Sequence, residues 1–273
     1  MYKIVEKIKL NNNVTLLKIE APFIAKKVLP GQFVIVKIDE FGERIPLTVA
    51  DFDRAGGTVT IIVQAVGLTT KKLCKLNVGN NISDFVGPLG KPTEFGAPKK
   101  AIVVGGGVGC AIAYPQAKAL KQLGCDVTVI SGFRSRDIVI LEDEMRKVAD
   151  SFYITTDDGS YGTKGFVTDV LKNLLQSSIY DLVIAIGPIP MMKFVCKVTK
   201  EFGVKTIVSL NPIMIDGTGM CGGCRVNVGG EIKFACVDGP DFDGHMVNFD
   251  ELSQRNSFYK QEEAHACNLF SEE

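Results

Sequence analysis

Ala101-Ile-Val-Val-Gly-Gly-Gly-Val-Gly-Cys-Ala111 decides the fold. A short β-branched run feeds into four glycines, and a helix-like pattern follows to about Leu123. Such a turn lets backbone amides and a helix N-terminus approach a pyrophosphate, so Gly105, Gly107 and Gly109 are candidate nucleotide contacts. Cys110 occupies the third glycine position of G-x-G-x-x-G, which leaves a purely structural turn as the competing reading. Downstream, VTVI (127–130), FYIT (152–155), LVIAIG (182–187) and TIVSL (206–210) are continuous apolar runs separated by helix-length segments. Strands buried on both faces predict a parallel, doubly wound α/β sheet over residues 99–212. About twenty residues past the turn, Ser131-Gly-Phe-Arg-Ser-Arg136 stands where an acidic ribose ligand is usual. Two arginines suit a 2'-phosphate or adenine stacking, so NAD(H) and NADP(H) both stay open.

Upstream, the rhythm differs. Val14–Ile19, Phe33–Ile38, Leu47–Ala50, Val59–Val66 and Ile82–Val86 are short apolar runs separated by turns, which predicts an antiparallel barrel over residues 1–98. Thr69–Leu76 reads as a helix whose hydroxyl residues follow Gly67, a place for an anion. Arg44-Ile-Pro-Leu-Thr48 offers a guanidinium fork and a hydroxyl on one extended strand.

Past Pro212 the pattern breaks into Asp216-Gly-Thr-Gly-Met-Cys221-Gly-Gly-Cys224, with Cys236 twelve positions on. Thiolates two residues apart in a glycine-rich loop reach one metal centre. C-x4-C-x2-C with a distal fourth ligand is the plant-ferredoxin spacing for a [2Fe-2S] cluster, and Asp216 stands in the first cysteine's place. Asp216, Cys221, Cys224 and Cys236 are therefore candidate ligands within a module at residues 213–240. Zinc and a metal-free loop are the alternatives. Residues 241–273, polar with isolated aromatics, read as a C-terminal arm laid on another surface. His245 and His265 lie in it, in solvated or interface roles.

Composition narrows the class. The 273 residues suffice for two domains and a small appendix. Lys+Arg and Asp+Glu each number 31, which argues against a nucleic-acid or anionic-membrane surface and toward small molecules or proteins as partners. No export signal and no long apolar span stand out, so a cytoplasmic protein is expected, with its eight cysteines kept as thiols or metal ligands.

Barrel, glycine turn and cysteine loop in that order resemble the ferredoxin-NADP reductase superfamily. More closely they resemble the electron-transfer subunits of dihydroorotate dehydrogenase and the sulfide dehydrogenase-like small subunits of NADH-dependent ferredoxin:NADP oxidoreductase. Pro30-Gly-Gln-Phe33, Arg44-Ile-Pro-Leu-Thr48, Gly87-Pro-Leu-Gly90, Gly105-Gly-Gly-Val-Gly109, Asp158-Gly-Ser160, Gly187-Pro-Ile-Pro-Met-Met192 and the cysteine loop carry the likeness over residues 1–240. The resemblance implies FAD on the barrel, with Arg44, Pro46, Leu47 and Thr48 around the ring and phosphates and Gly67, Thr69 and Thr70 at the pyrophosphate. It implies a nicotinamide-nucleotide site at Gly107, Gly109, Arg134, Asp158 and Gly187. Against the superfamily's R-x-Y-S pattern, Thr48 takes the serine column, Ile45 the arginine column and Leu47 the tyrosine column, so Arg44 stands one residue early. Asp216 in place of a fourth cysteine points toward the ferredoxin:NADP oxidoreductase type. That implies a heterodimer or higher assembly with a larger subunit carrying flavin and iron-sulfur clusters, and electron bifurcation. Dihydroorotate or reduced sulfur as the electron source is the alternative, and a nucleotide-binding zinc module that is no enzyme is the reading from another class.

Overall fold

The computed structural model describes residues 1–271; Glu272 and Glu273 lie outside the described residues, as do the side chains of residues 269–271. Seven strands form the first domain: β1 (Tyr2–Lys9), β2 (Val14–Glu20), β3 (Phe33–Lys37), β4 (Ile45–Asp53), β5 (Thr58–Gln64), β6 (Asn81–Ile82) and β7 (Asp84–Leu89). Helices α1 (Pro22–Ala25) and α2 (Leu68–Lys75) interrupt them. The sheet order is β6-β1-β2-β5-β4-β3-β7. Its two edges, β6 and β7, are consecutive in the chain with Ser83 alone between them, so the antiparallel sheet nearly closes on itself. Register shifts between Ile4 and Glu6, Phe33 and Ile35, and Val49 and Asp51 supply the extra curl. Val34, Val36, Val49, Ile61 and Phe85 fill the interior.

The second domain carries β8 (Lys100–Gly106), α3 (Cys110–Gln122), β9 (Asp126–Phe133), α4 (Glu142–Val148), β10 (Ser151–Thr156), β11 (Thr163–Lys164), α5 (Val167–Ser177), β12 (Leu182–Ile186), α6 (Ile189–Glu201) and β13 (Lys205–Ser209). The order β11-β10-β9-β8-β12-β13 is parallel and reverses direction between β8 and β12. Ligands of open α/β sheets bind at such a switch point, outside the carboxyl ends of the strands. Beyond it lie a hairpin, β14 (Arg225–Val228) and β15 (Glu231–Phe234), then β16 (Asp241–Asp243), α7 (Phe249–Arg255) and α8 (Lys260–Ser271).

The C-terminal stretch corrects one expectation. Instead of an arm for another surface, residues 241–243 pair antiparallel with β13 as the last strand of the second sheet. Phe249 and Leu252 are buried in the core that also holds Cys224 and Cys236, and α8 packs against α2 of the barrel. The reason is local: Asn248 accepts the Glu251 N–H at 3.1 Å and caps α7, whose two apolar residues, three apart, then share one face. The nucleotide domain therefore draws a strand from beyond residue 212.

A buried polar cluster ties the parts together. Gln116 on α3 is fully buried and donates to Thr93 Oγ1 at 2.7 Å, and the Thr93 hydroxyl donates to Asp241 Oδ2. Burial pushes the Asp241 carboxyl above its usual range, opposed by hydrogen bonds from Thr93, Ser209 and Gln116. A raised folded-state value favours the protonated form, so this group's contribution to stability is present in acid and lost as pH rises through the elevated value. Asp241→Asn should accordingly show a melting temperature that gains on the wild type as pH is raised from below the ordinary carboxylate range toward neutrality. Asp241→Ala, which removes the acceptor of the short Thr93 bond and leaves the Thr93 hydroxyl only the longer bond to the Pro30 carbonyl, should cost on the order of 1–3 kcal/mol in denaturant unfolding.

Candidate functional site

The glycine turn sits at the switch point. Gly107–Gly109 form one 3-10 turn between β8 and α3, with Gly107 at φ +56°. A Cβ on Gly109 would stand 2.4 Å from the Ile186 carbonyl oxygen and 2.8 Å from Gly187 Cα. Only glycine lets the turn pass so close to the end of β12, which sets Gly106 and Gly109 against Gly187, while the Cβ direction of Gly105 faces Cys110 and Ala113 of α3 and that of Gly107 is open. Cys110 is buried, its thiol pushed up to about 12 chiefly by burial, and serves packing rather than reaction. On the rim, Arg134 and Arg136 are exposed after β9, and the Asp158–Ser160 turn follows β10. The two are joined: the Asp158 N–H donates to the Arg134 carbonyl at 3.2 Å and the Arg136 N–H to Ser160 Oγ at 2.9 Å. Asp158 accepts the Ser160 hydroxyl at 2.6 Å and its N–H at 2.9 Å, and these bonds hold its carboxyl below the usual range.

On the barrel, strand alternation sorts the Arg44–Thr48 segment. Pro46 pairs with Ile35 and Thr48 with Phe33. Ile35 and Phe33 point out of the barrel into the core shared with the second domain, so Pro46 and Thr48 lie on that outer face, both half-buried. Leu47 pairs with Val34 and packs its side chain on the barrel core, leaving its backbone for any ligand. Arg44, just before β4, has its guanidinium 3.7 Å from Asp84 Oδ2 on β7. At α2, Thr70 Oγ1 accepts the Gly67 N–H at 2.9 Å, and Thr69 is buried and donates to Glu43 Oε2 at 2.7 Å. Glu43 is a site residue that sequence reasoning missed. It clips the helix N-terminus to the segment leading into β4 that carries Arg44, a contact between residues 26 positions apart that no local pattern announces.

The outer face of β3 and β4 also touches both other candidate sites. Ala50 joins the core that α3 forms behind the glycine turn, and α3 packs against β4. At the other end, a Cβ on Gly217 would meet Ile35 at 2.9 Å and Leu89 at 3.0 Å, so the cysteine loop sits directly on β3 and β7. From Ala50 to Pro46 is about 13 Å along the strand.

In the cysteine loop, Cys224 Sγ and Cys236 Sγ lie 3.2 Å apart and buried, while Cys221 is exposed. Asp216 accepts the Thr218 N–H at 2.8 Å and the Cys221 N–H at 3.1 Å, which hold its carboxyl below the usual range. The Cys236 thiol is pushed up to about 12, first by burial, then by Cys224, with Asp216 adding to the rise. The four candidate ligands thus come as two pairs, Cys224 with Cys236 and Asp216 with the Cys221 backbone, and among the described residues no three His, Cys, Asp or Glu side chains converge on a ready metal position. The donor set is soft, the loop is glycine-rich and its amides face the thiols, with the Gly223 N–H 3.4 Å from Cys221 Sγ. These features fit an iron-sulfur cluster, with Asp216 as its one hard donor. A cavity of about 280 Å³ opens beside Cys221, lined among others by Arg225, Arg255, Phe258 and Tyr259.

Comparison with known proteins agrees with this geometry. Residues 211–248 match the iron-sulfur cluster binding domain of dihydroorotate dehydrogenase B. A Thermotoga maritima protein described as a dihydroorotate dehydrogenase B (NAD(+)) electron transfer subunit homolog is 48% identical, with 96% of this chain and 92% of that protein covered. The electron transfer subunit of dihydroorotate dehydrogenase B from Fusobacterium nucleatum is 35% identical over 86% of this chain and 93% of that one. A solved structure of NADH-dependent reduced ferredoxin-NADP oxidoreductase superposes at a TM-score of 0.94 with 46% identity, covering 99% of this chain and 98% of that one. The ferredoxin reductase of carbazole 1,9a-dioxygenase, 19% identical at a TM-score of 0.63 over 74% of this chain and 65% of that one, shares the fold. The chain belongs to the family of dihydroorotate dehydrogenase B electron-transfer subunits, a branch of the ferredoxin-reductase-like oxidoreductases.

Gly109→Ala forces a Cβ into the end of β12. Its Kd for NADH should rise tenfold or more in a fluorescence titration, about 1.4 kcal/mol, while iron and FAD contents stay at the wild-type level.

Proposed function

We propose that this chain is the electron-transfer subunit of a flavin-dependent oxidoreductase, exchanging hydride with NAD(H) or NADP(H) and handing single electrons to a larger flavin and iron-sulfur subunit. The observation that carries the reading is the shared outer face of β3 and β4, which meets the α3 core behind the nucleotide turn at Ala50 and the cysteine loop at Ile35. When bound there, FAD would supply the conversion of a two-electron hydride into single electrons, and a [2Fe-2S] cluster would carry them one at a time.

The chain's own residues would bind and orient. Pro46 and Thr48, with the backbone of Leu47, would line the ring. The α2 N-terminus at Gly67, Thr69 and Thr70 would receive the pyrophosphate, with Arg44 as its cation. Thr69 reaches that place already bonded to Glu43, so its backbone amide rather than its hydroxyl would face a phosphate. Gly105, Gly107, Gly109 and Gly187 would admit the nicotinamide nucleotide, whose ribose end would meet Arg134 and Asp158. Asp216, Cys221, Cys224 and Cys236 would hold the cluster.

Within this reading the assembly is the electron-bifurcating, NADH-dependent ferredoxin:NADP oxidoreductase type, supported by the likeness over almost the full length of both chains. A second reading places the chain beside a dihydroorotate-oxidising subunit, supported by the match of residues 211–248. No described helix is long and apolar enough to cross a membrane; cytoplasmic placement is part of the proposal.

Anaerobically purified protein should contain one FAD and two iron and two sulfide per chain, with visible absorption bleached by NADH. Colourless protein after reconstitution with FAD, iron and sulfide would refute the reading. Asp216→Cys should keep the cluster while moving its midpoint potential. An unchanged midpoint would show that Asp216 is not a ligand.

A further inference from the structure

The tail helix α7 ends on the cysteine loop. Its core-facing residues Phe249 and Leu252 fix its position, and its last residue, Arg255, donates from Nη2 to the Gly223 carbonyl at 3.2 Å. Gly223 lies between Cys221 and Cys224, so this bond ends inside the C-x2-C segment. The next residue, Asn256, donates from Nδ2 to the Asn211 carbonyl at 3.0 Å and pins the end of α7 to the start of the module. A second guanidinium, that of Arg225, stands over the same loop: a Cβ on Gly222 would be 3.1 Å from its Nη1. Arg255 is half-buried and Arg225 exposed, so solvent screens Arg255 less. The same loop holds an anion: Asp216 accepts the Cys221 N–H at 3.1 Å.

We infer that Arg255 is a positioning and charge-tuning residue for the cluster, supplied from the C-terminal helix. The inference rests on the iron-sulfur reading above. One electron arriving from the flavin adds one negative charge to the cluster and breaks no bond. A fixed cation beside the loop favours the more negative, reduced form, and so raises the cluster's potential against the pull of Asp216 in the other direction. The Arg255 hydrogen bond also holds the Gly223 carbonyl back on the tail side, leaving the loop's N–H groups to face the sulfurs.

The test is an EPR-monitored redox titration of the full-length chain loaded with its cluster, with iron and sulfide assayed in the same samples. Arg255→Gln should retain the cluster and shift its midpoint to more negative potential, whereas Arg255→Lys, which keeps the charge, should stay near the wild type. Arg225→Gln should shift it in the same direction by less. An unchanged midpoint in Arg255→Gln, or an equal shift in Arg255→Lys, would overturn the inference. Should Arg255→Gln lose the cluster, the lysine variant decides: a cluster at the wild-type potential supports the charge role, and loss there too reduces Arg255 to a brace. A wild-type chain that takes up no cluster would instead fail the reading beneath it, before any variant is compared.

Discussion

The outward face of two neighbouring barrel strands is the constraint on which the rest of the molecule depends. Alternation along β3 sends Val34 and Val36 into the barrel and Phe33 and Ile35 out of it. The same alternation along β4 sends Leu47 and Val49 in and Pro46, Thr48 and Ala50 out. Because the outward residues are themselves needed to bury other elements, the barrel cannot be an isolated domain. Ala50 is covered from the side of α3, and Ile35 is covered by the cysteine loop. Pro46 and Thr48 lie between these two contacts and stay half-buried, where the proposed flavin ring would rest.

The constraint explains why the chain is stitched so heavily across its parts. Thr93 in the connection between domains, Gln116 on the nucleotide helix and Asp241 on the last strand meet in one buried polar cluster. The tail then runs from β16 through α7 at the cysteine loop to α8 at the barrel helix α2. A shift of one part would have to be followed by the others. An electron path that depends on separation and orientation requires such a frame, because the cofactors do the chemistry and the protein sets their places.

Much of this was legible in the sequence, and the reasons differ from element to element. Gly105–Gly109 announces itself because a buried strand, a glycine turn and a helix follow without a gap. The crowding of Cys221, Cys224 and Cys236 does so because thiols at that spacing among glycines suit a shared metal centre. The last strand was not legible: Asp241-Phe242-Asp243 is three residues long and carries no apolar run, and its place is set by an edge of β13 that is remote in sequence. Nor was the tail, where Met246, Val247, Phe249 and Leu252 are scattered among polar residues and tertiary packing decides that Phe249 and Leu252 are buried while Met246 is exposed. The Thr69–Glu43 bond and the seat of Gly217 on Ile35 and Leu89 are long-range contacts, which no period or motif encodes. Arg44 was legible as a cation, but not its ion pair with Asp84.

A path along one strand face, from the nucleotide crevice to the cysteine loop by way of a flavin, requires FAD for every electron that NADH delivers to the cluster. Low-temperature EPR of the anaerobic chain after NADH addition, with and without bound FAD, tests it most directly. The signal of a reduced [2Fe-2S] cluster is expected when FAD is present and none when FAD has been removed. A cluster that NADH leaves oxidised in the FAD-loaded chain, while dithionite reduces it, would contradict the path, as would reduction by NADH without FAD.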